Sequence, residues 1–316
     1  MSQRSWPDIQ SVRAAAERIQ PWVRQTPLGR WEALDEAIGH PVLLKCENQQ
    51  EVSAFKSRGA CNAVMSLDGD LAARGVATHS SGNHAAALAR AAHIRDIDCH
   101  VVMPRGAAVP KRQAAEQWGA HIIDCEATMA DRIQTLERVM AEHGAELIHP
   151  YEDSRVMSGQ GTVALELLDA LEEADTVFVP LGGGGLISGM AVVLAAERPS
   201  IRLVGVEPAG ADDARRSFEA GSVVPVTPDT IADGLRATIG EINLEIIRHH
   251  VDAIVTVEDQ KILDAMGLIW RHAGMKVEPS AAVSLAAARA VGCRPEGRAV
   301  CILTGGNVLE SQFDCW

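Results

Sequence analysis

The stretch "VPLGGGGLISG", residues 179–189, runs from an apolar segment through four successive glycines, Gly182, Gly183, Gly184 and Gly185, into a sequence suited to a helix. An apolar strand that ends in a glycine loop and turns directly into a helix is the βα unit of a parallel sheet. Glycines carry no Cβ, so the loop backbone can wrap closely around an anion at the helix N-terminus, and a phosphate is the expected guest.

The same pattern recurs outward in both directions. Apolar runs read as strands at "PVLLKCE" (41–47), "GVATHS" (75–80), "DCHVVM" (98–103), "AHIID" (120–124), "TVFVPL" (176–181), "IRLVGVE" (201–207), "DAIVTV" (252–257) and "RAVCILT" (298–304). Helix-length stretches lie between most of them. The alternation predicts an α/β fold, with parallel sheets covered by helices on both faces. Ligands in such folds collect at the carboxyl ends of strands.

Three more unusual sequences lie there. In "SAFKSRGACNAV" (53–64), Lys56 follows Val52, Ala54 and Phe55 and opens a helix-prone run. Desolvation by such neighbours lowers an amine's pKa and makes it nucleophilic. In "HSSGNHAAALA" (79–89), a strand ends in hydroxyls, a glycine and Asn83 before an Ala-rich helix, whose first N–H groups suit a carboxylate. In "CILTGGNV" (301–308), a strand ends in Thr304 and two glycines. Singly, these features read as a snorkelling lysine, an N-cap and a turn. Together they supply an amine, a phosphate cradle, a carboxylate loop and a hydroxyl for a ring nitrogen. Pyridoxal phosphate needs the amine and the cradle, and an amino-acid substrate needs the carboxylate loop.

Composition narrows the classes. The chain has 316 residues, 47% hydrophobic and 22% charged, and a formal net charge of −13. That charge repels phosphate backbones and anionic lipid, so neither nucleic-acid nor membrane partners are expected. No signal-peptide core or membrane-length apolar stretch is present, and the seven cysteines are scattered, which suits reduced thiols in a cytoplasmic protein. The eleven histidines form no zinc-binding pattern. A dinucleotide-dependent oxidoreductase is one alternative, with Glu207 as the ribose-binding acid, although "GGGGLISG" lacks the GxGxxG order. A non-catalytic protein that binds the cofactor and an amino acid is another.

The ordered set "SAFKSRGA", "SSGNHAAALA", "GGGGLISG", "EPAGADD", "VEPSAA" and "LTGGN" resembles the serine/threonine dehydratase and serine racemase family over nearly the whole chain. The resemblance implies the two-domain, tryptophan-synthase β-like fold (type II) of pyridoxal-phosphate enzymes. Residues 1–76 and 150–316 would form the large domain, and 77–149 the small mobile one. It implies that Lys56 forms the Schiff base and handles the α-proton, that Phe55 packs beside the cofactor, and that Asn83 meets the ring hydroxyl. Gly182 to Gly185 would hold the phosphate and Thr304 would face the pyridine nitrogen. A hydroxyl at that nitrogen makes the ring a weaker electron sink than a carboxylate would, which suits elimination.

The family likeness extends to the substrate. Ser80, Ser81, Gly82, Asn83 and His84 would receive its carboxylate, and Ser81 would face Lys56 as a second acid/base group of the kind racemisation requires. Arg132, in "ATMADRIQTLE", matches an arginine that can approach a second carboxylate, pointing to 3-hydroxyaspartate beside serine and threonine. Glu207, Ala211 and Asp213 match the ligands of Mg²⁺ or a similar cation such as Mn²⁺ or Ca²⁺. Two departures are visible: Ala54 stands where many relatives have serine, and Ala237 replaces a hydroxyl of racemase-like relatives. The expected activity is α,β-elimination from a β-hydroxy-α-amino acid to a 2-oxo acid and ammonia, with racemisation as the alternative. A homodimer is expected, and so little sequence follows "TGGN" that no C-terminal regulatory domain is.

Overall fold

The computed structural model describes residues 6–107, 109–171, 176–290 and 297–308. Its strands are β1 (Leu28–Gly29), β2 (Val42–Lys45), β3 (Val76–His79), β4 (Cys99–Pro104), β5 (His121–Cys125), β6 (Glu146–Leu147), β7 (Thr176–Pro180), β8 (Arg202–Pro208), β9 (Ala253–Val257) and β10 (Ala299–Ile302). All eight runs read as strands are strands. The additions, β1 and β6, are two residues each and too short to show a period.

The strands form a six-stranded sheet ordered β1-β2-β10-β7-β8-β9 and a four-stranded sheet ordered β5-β4-β3-β6. Every pairing is parallel except β1 with β2. Alternate side chains explain why both faces are covered. In the larger sheet, Phe178, Val204 and Cys301 enter one apolar cluster, while Val177, Leu203 and Val300 enter the opposite one. The smaller sheet divides similarly, with Val76 and Val101 on one face and Ala77 and Val102 on the other. Each fully buried large apolar side chain here contributes roughly 1.5–3 kcal/mol relative to exposure. Together they offset the entropy of ordering the chain.

All strands of the smaller sheet lie between residues 76 and 147. Glycine loop, "EPAGADD" and "TGGN" follow the carboxyl ends of β7, β8 and β10, and "SSGN" follows β3. The cysteines within the described residues, Cys46, Cys61, Cys99, Cys125 and Cys301, are free and buried. Among the described residues no helix is long and apolar enough to cross a membrane.

Candidate active site

A cavity of about 660 Å³ opens where the strand ends of the two sheets meet. Lys56 is the first residue of the helix Lys56–Met65 and lines this cavity. Its Nζ donates to the carbonyl of Pro150 at 2.8 Å and lies 5.1 Å from the Phe55 ring centroid. Burial lowers the ammonium from 10.5 to about 8, the desolvation that the sequence suggested. Phe55 also lines the cavity, and its backbone N–H donates to the Thr304 carbonyl at 3.1 Å. This bond ties the lysine's approach to the end of β10.

The glycine loop forms one wall. Gly184 has φ +95°, a conformation that favours glycine, and caps the helix Gly185–Glu197. A Cβ on Gly183 would lie 2.4 Å from the Tyr151 ring, so the backbone can pass there only without a side chain. These closely packed glycines at a helix N-terminus fit a phosphate, and the lysine amine lining the same cavity fits an aldehyde. The residues present therefore suit pyridoxal phosphate, with Lys56 for the aldehyde, Gly182 to Gly185 for the phosphate and Thr304 beside the ring.

The loop that follows β3 lines the same cavity. Ser80, Ser81, Gly82, Asn83 and His84 all line the cavity, and Gly82 caps the helix Asn83–Arg95. His84 contributes no charge. Its Nε2 bonds the Ile148 carbonyl at 3.1 Å, and burial, followed by the Lys56 charge, pushes its pKa down to about 3. What this loop offers an anion is therefore backbone N–H groups and hydroxyls rather than an imidazolium.

Arg132 lines the cavity, and its buried Nε has no hydrogen-bond partner among the described residues. Burial, and then the charge of Arg132, lowers the pKa of nearby His79. A guanidinium with an unsatisfied donor can take a second substrate carboxylate.

Several cavity residues had no assigned role from sequence. Tyr151, the chain's single tyrosine, packs against the glycine loop, and burial raises its phenol to about 12. Thr238 lines the cavity beside Ala237 and supplies a hydroxyl next to the position that lost one. Lys111 pairs with Asp233 at the rim. Glu278 accepts from Asn83 Nδ2 at 2.9 Å. "IADGLRATIG" and "VEPSAA" contained Thr238, Asp233 and Glu278, but only the fold shows which of their residues reach the cavity.

Away from the cavity, Glu207 is completely buried at the end of β8. Its oxygens accept the backbone N–H groups of Ala214 at 2.9 Å and Arg215 at 2.8 Å. It is therefore closed to a ribose, which removes the support for a dinucleotide site. Asp213 is buried nearby and accepts from the Ile239 N–H at 2.7 Å. Burial pushes Glu207 up to about 8 and Asp213 up to about 6. Ala211 is buried in the turn Ala209–Ala211 between them. Two desolvated carboxylates, with no cationic side chain among the described residues paired to either, fit a hard cation's donor preference. Among the described residues, no group of three or more His, Cys, Asp or Glu side chains is arranged to hold a metal.

The fold and the cavity define a type II pyridoxal-phosphate enzyme. The chain belongs to the pyridoxal-phosphate dependent enzyme family, whose sequence model matches residues 19–305. It is 46% identical over 316 residues to a serine racemase of Arabidopsis thaliana, covering 97% of this chain and 95% of that one. It is 45% identical over 307 residues to a beta-hydroxyaspartate dehydratase of Paracoccus denitrificans, covering 96% of each. The solved structure of maize serine racemase superposes with a TM-score of 0.95 at 42% identity, covering 97% of this chain and 95% of that one.

Proposed function

We propose that the protein is a dehydratase (ammonia-lyase) that eliminates water from 3-hydroxyaspartate, the resulting enamine then tautomerising and taking up water to give a 2-oxo acid and ammonia, with serine and threonine as poorer substrates. The observation that carries this reading is Arg132, whose buried Nε has no hydrogen-bond partner among the described residues, in a cavity also lined by Lys56 and the 80–84 loop. A substrate with two carboxylates would engage both the 80–84 loop and Arg132, which line the same cavity. The similarity to a beta-hydroxyaspartate dehydratase supports the same choice.

Pyridoxal phosphate supplies an aldehyde for the substrate amine and a conjugated ring that accepts the electron pair left by the α-proton. The chain supplies the rest. The helix start after Gly82 binds the α-carboxylate, Arg132 the distal one, and Lys56 Nζ takes the α-proton. An amine held near pKa 8 is neutral often enough at neutral pH to act as that base. Thr304, which lines the cavity, would offer the cofactor ring a hydroxyl rather than a carboxylate, an environment that suits elimination, in which the β-hydroxyl leaves as water once it takes up a proton. Residues 77–149 would close as a small domain over the bound substrate, and the working unit would be a homodimer.

Racemisation is the second reading, because Ser81 lines the same cavity as Lys56 and offers a proton carrier. A paired assay separates them. The purified holoenzyme is given serine, threonine and the 3-hydroxyaspartate isomers, while oxo acid, ammonia and the chirality of residual substrate are followed. Stoichiometric oxo acid and ammonia, fastest from 3-hydroxyaspartate, support the proposal; inversion faster than oxo-acid release makes the protein a racemase. Absence of both reactions from a protein that binds the amino acids leaves a non-catalytic binding protein. Mg²⁺ or a similar cation held by Glu207, Asp213 and the Ala211 carbonyl would be structural, since these groups lie outside the cavity lining.

A further inference from the structure

Asn83 carries an amide, and an amide can offer a ligand either its oxygen or its NH₂. Which one it offers is decided by what holds the other end. Here the chain of contacts starts at Val52, a β-branched residue at φ +49°, outside the region such side chains favour. Its carbonyl, which can only accept, takes a hydrogen bond from Asn307 Nδ2 at 2.9 Å. The same Nδ2 donates to Asn83 Oδ1 at 2.9 Å. That fixes the oxygen of Asn83 toward Asn307.

The nitrogen end is held more strongly. Asn83 Nδ2 donates to Glu278 Oε1 at 2.9 Å and Oε2 at 3.2 Å. Glu278 is only 6% exposed, and its carboxylate also accepts the backbone N–H of Asn307. The space it occupies exists because residue 305 is glycine: a Cβ there would lie 2.4 Å from Glu278 Oε1. Glu278 is shielded from water while the Asn307 side chain is exposed, so the bond to Glu278 competes less with solvent than the bond to Asn307 does. Glu278 therefore dominates the clamp and steadies its weaker half.

We propose that Glu278 is a positioning residue that locks the Asn83 amide so that its NH₂, and not its oxygen, is presented to the 3-oxygen of the bound pyridine ring. With Oδ1 occupied and one N–H given to Glu278, the remaining N–H of Asn83 is the group left for a ligand. A donor at that place favours the ring oxygen in its anionic form and discriminates against a ring that lacks the oxygen. The proposal rests on assigning Asn83 to the ring oxygen, and the test separates the two ideas.

Equilibrium dialysis of the cofactor-stripped protein with pyridoxal phosphate and with its 3-deoxy analogue gives the binding penalty for losing that oxygen, independently of turnover. The wild type should show a penalty of about tenfold, the size expected for one well-placed hydrogen bond. Asn83→Ala should abolish it, Glu278→Ala should reduce it below about twofold, and Glu278→Gln, which keeps an acceptor, should largely restore it. A full penalty in Glu278→Ala with none in Asn83→Ala overturns the role of Glu278 alone. A full penalty in Asn83→Ala overturns the assignment of Asn83 and the proposal with it. Should Glu278→Ala not fold, Glu278→Ser carries the same expectation.

Discussion

Lys56 Nζ donates to the carbonyl of Pro150 at 2.8 Å, across a span of 94 residues. A carbonyl accepts from the amine whether or not the amine carries its extra proton, so this contact aims the nitrogen without committing it to the charged form. Burial then favours the neutral form and brings the pKa from 10.5 to about 8. The sign follows directly. The fraction of reactive amine grows as pH rises through 8 and saturates above about 9. Covalent uptake of pyridoxal phosphate by the stripped protein should follow that curve in stopped-flow absorbance. A rate still climbing toward pH 10.5 would show an ordinary solvated lysine, and Lys56→Arg should remove the reaction altogether.

If Arg132 binds a distal carboxylate, as proposed, its loss should affect one substrate class only. Losing a charge-assisted bond to a carboxylate costs roughly 1.5–3 kcal/mol. Arg132→Ala should therefore raise KM for 3-hydroxyaspartate by about 10- to 100-fold. The value for serine, which has no second carboxylate, should stay within about twofold. Arg132→Lys should recover only part of the loss, because an ammonium lacks the planar fork of a guanidinium. Equal losses for both substrates would place Arg132 in the scaffold instead.

Glu207 and Asp213 give a prediction separate from catalysis. A cation bound only by the folded protein stabilises it by about 2.7 kcal/mol at a hundred times its dissociation constant. Chelator-treated protein should melt at a lower temperature than protein in Mg²⁺, and Glu207→Gln should remove the difference. An unchanged melting temperature after chelation and Mg²⁺ addition would exclude the site.

The sheets were legible because buried parallel strands are apolar on both faces. Phe178 and Val177 point to opposite clusters, yet both read as strand. The cavity walls were legible where the backbone itself forms them, as in Gly182 to Gly185, since few other contexts need successive glycines between a strand and a helix. What escaped was any role defined by a partner far away in sequence. Glu278 meets Asn83 across 195 residues, and its motif alone gives it no task. Tyr151 is legible as a ring but not as the surface beneath Gly183. His84 reads as a pocket histidine, and only its burial against Ile148 shows that it stays neutral. Charged residues are the hardest, because composition places them on the surface by default.

Arg58 is the plainest such case. It lies two residues beyond Lys56 and is wholly buried, with Nε 2.7 Å from Glu47 Oε2 and Nη1 2.6 Å from Glu166 Oε1. Lys45 Nζ closes the group 2.6 Å from Glu166 Oε2. Burial alone would raise the Glu166 carboxyl, but hydrogen bonds and charge from Arg58 and Lys45 hold it below its ordinary 4.5. Removing one member of a buried ion pair typically costs about 3–5 kcal/mol, because the partner's charge is left in the core. Arg58→Met should cost that much in urea unfolding, and Arg58→Met with Glu47→Gln should cost less than Arg58→Met alone, since one stranded charge is gone. The pH dependence has a definite sign. A depressed carboxyl contributes stability above its unfolded pKa and loses it as pH falls through the folded one. The gap between wild type and Arg58→Met should therefore be full near pH 7 and narrow below about 4.5. A gap unchanged by acid, or a double variant no better than the single one, would mean that packing of the arginine stem, and not its charge, anchors the helix that begins at Lys56.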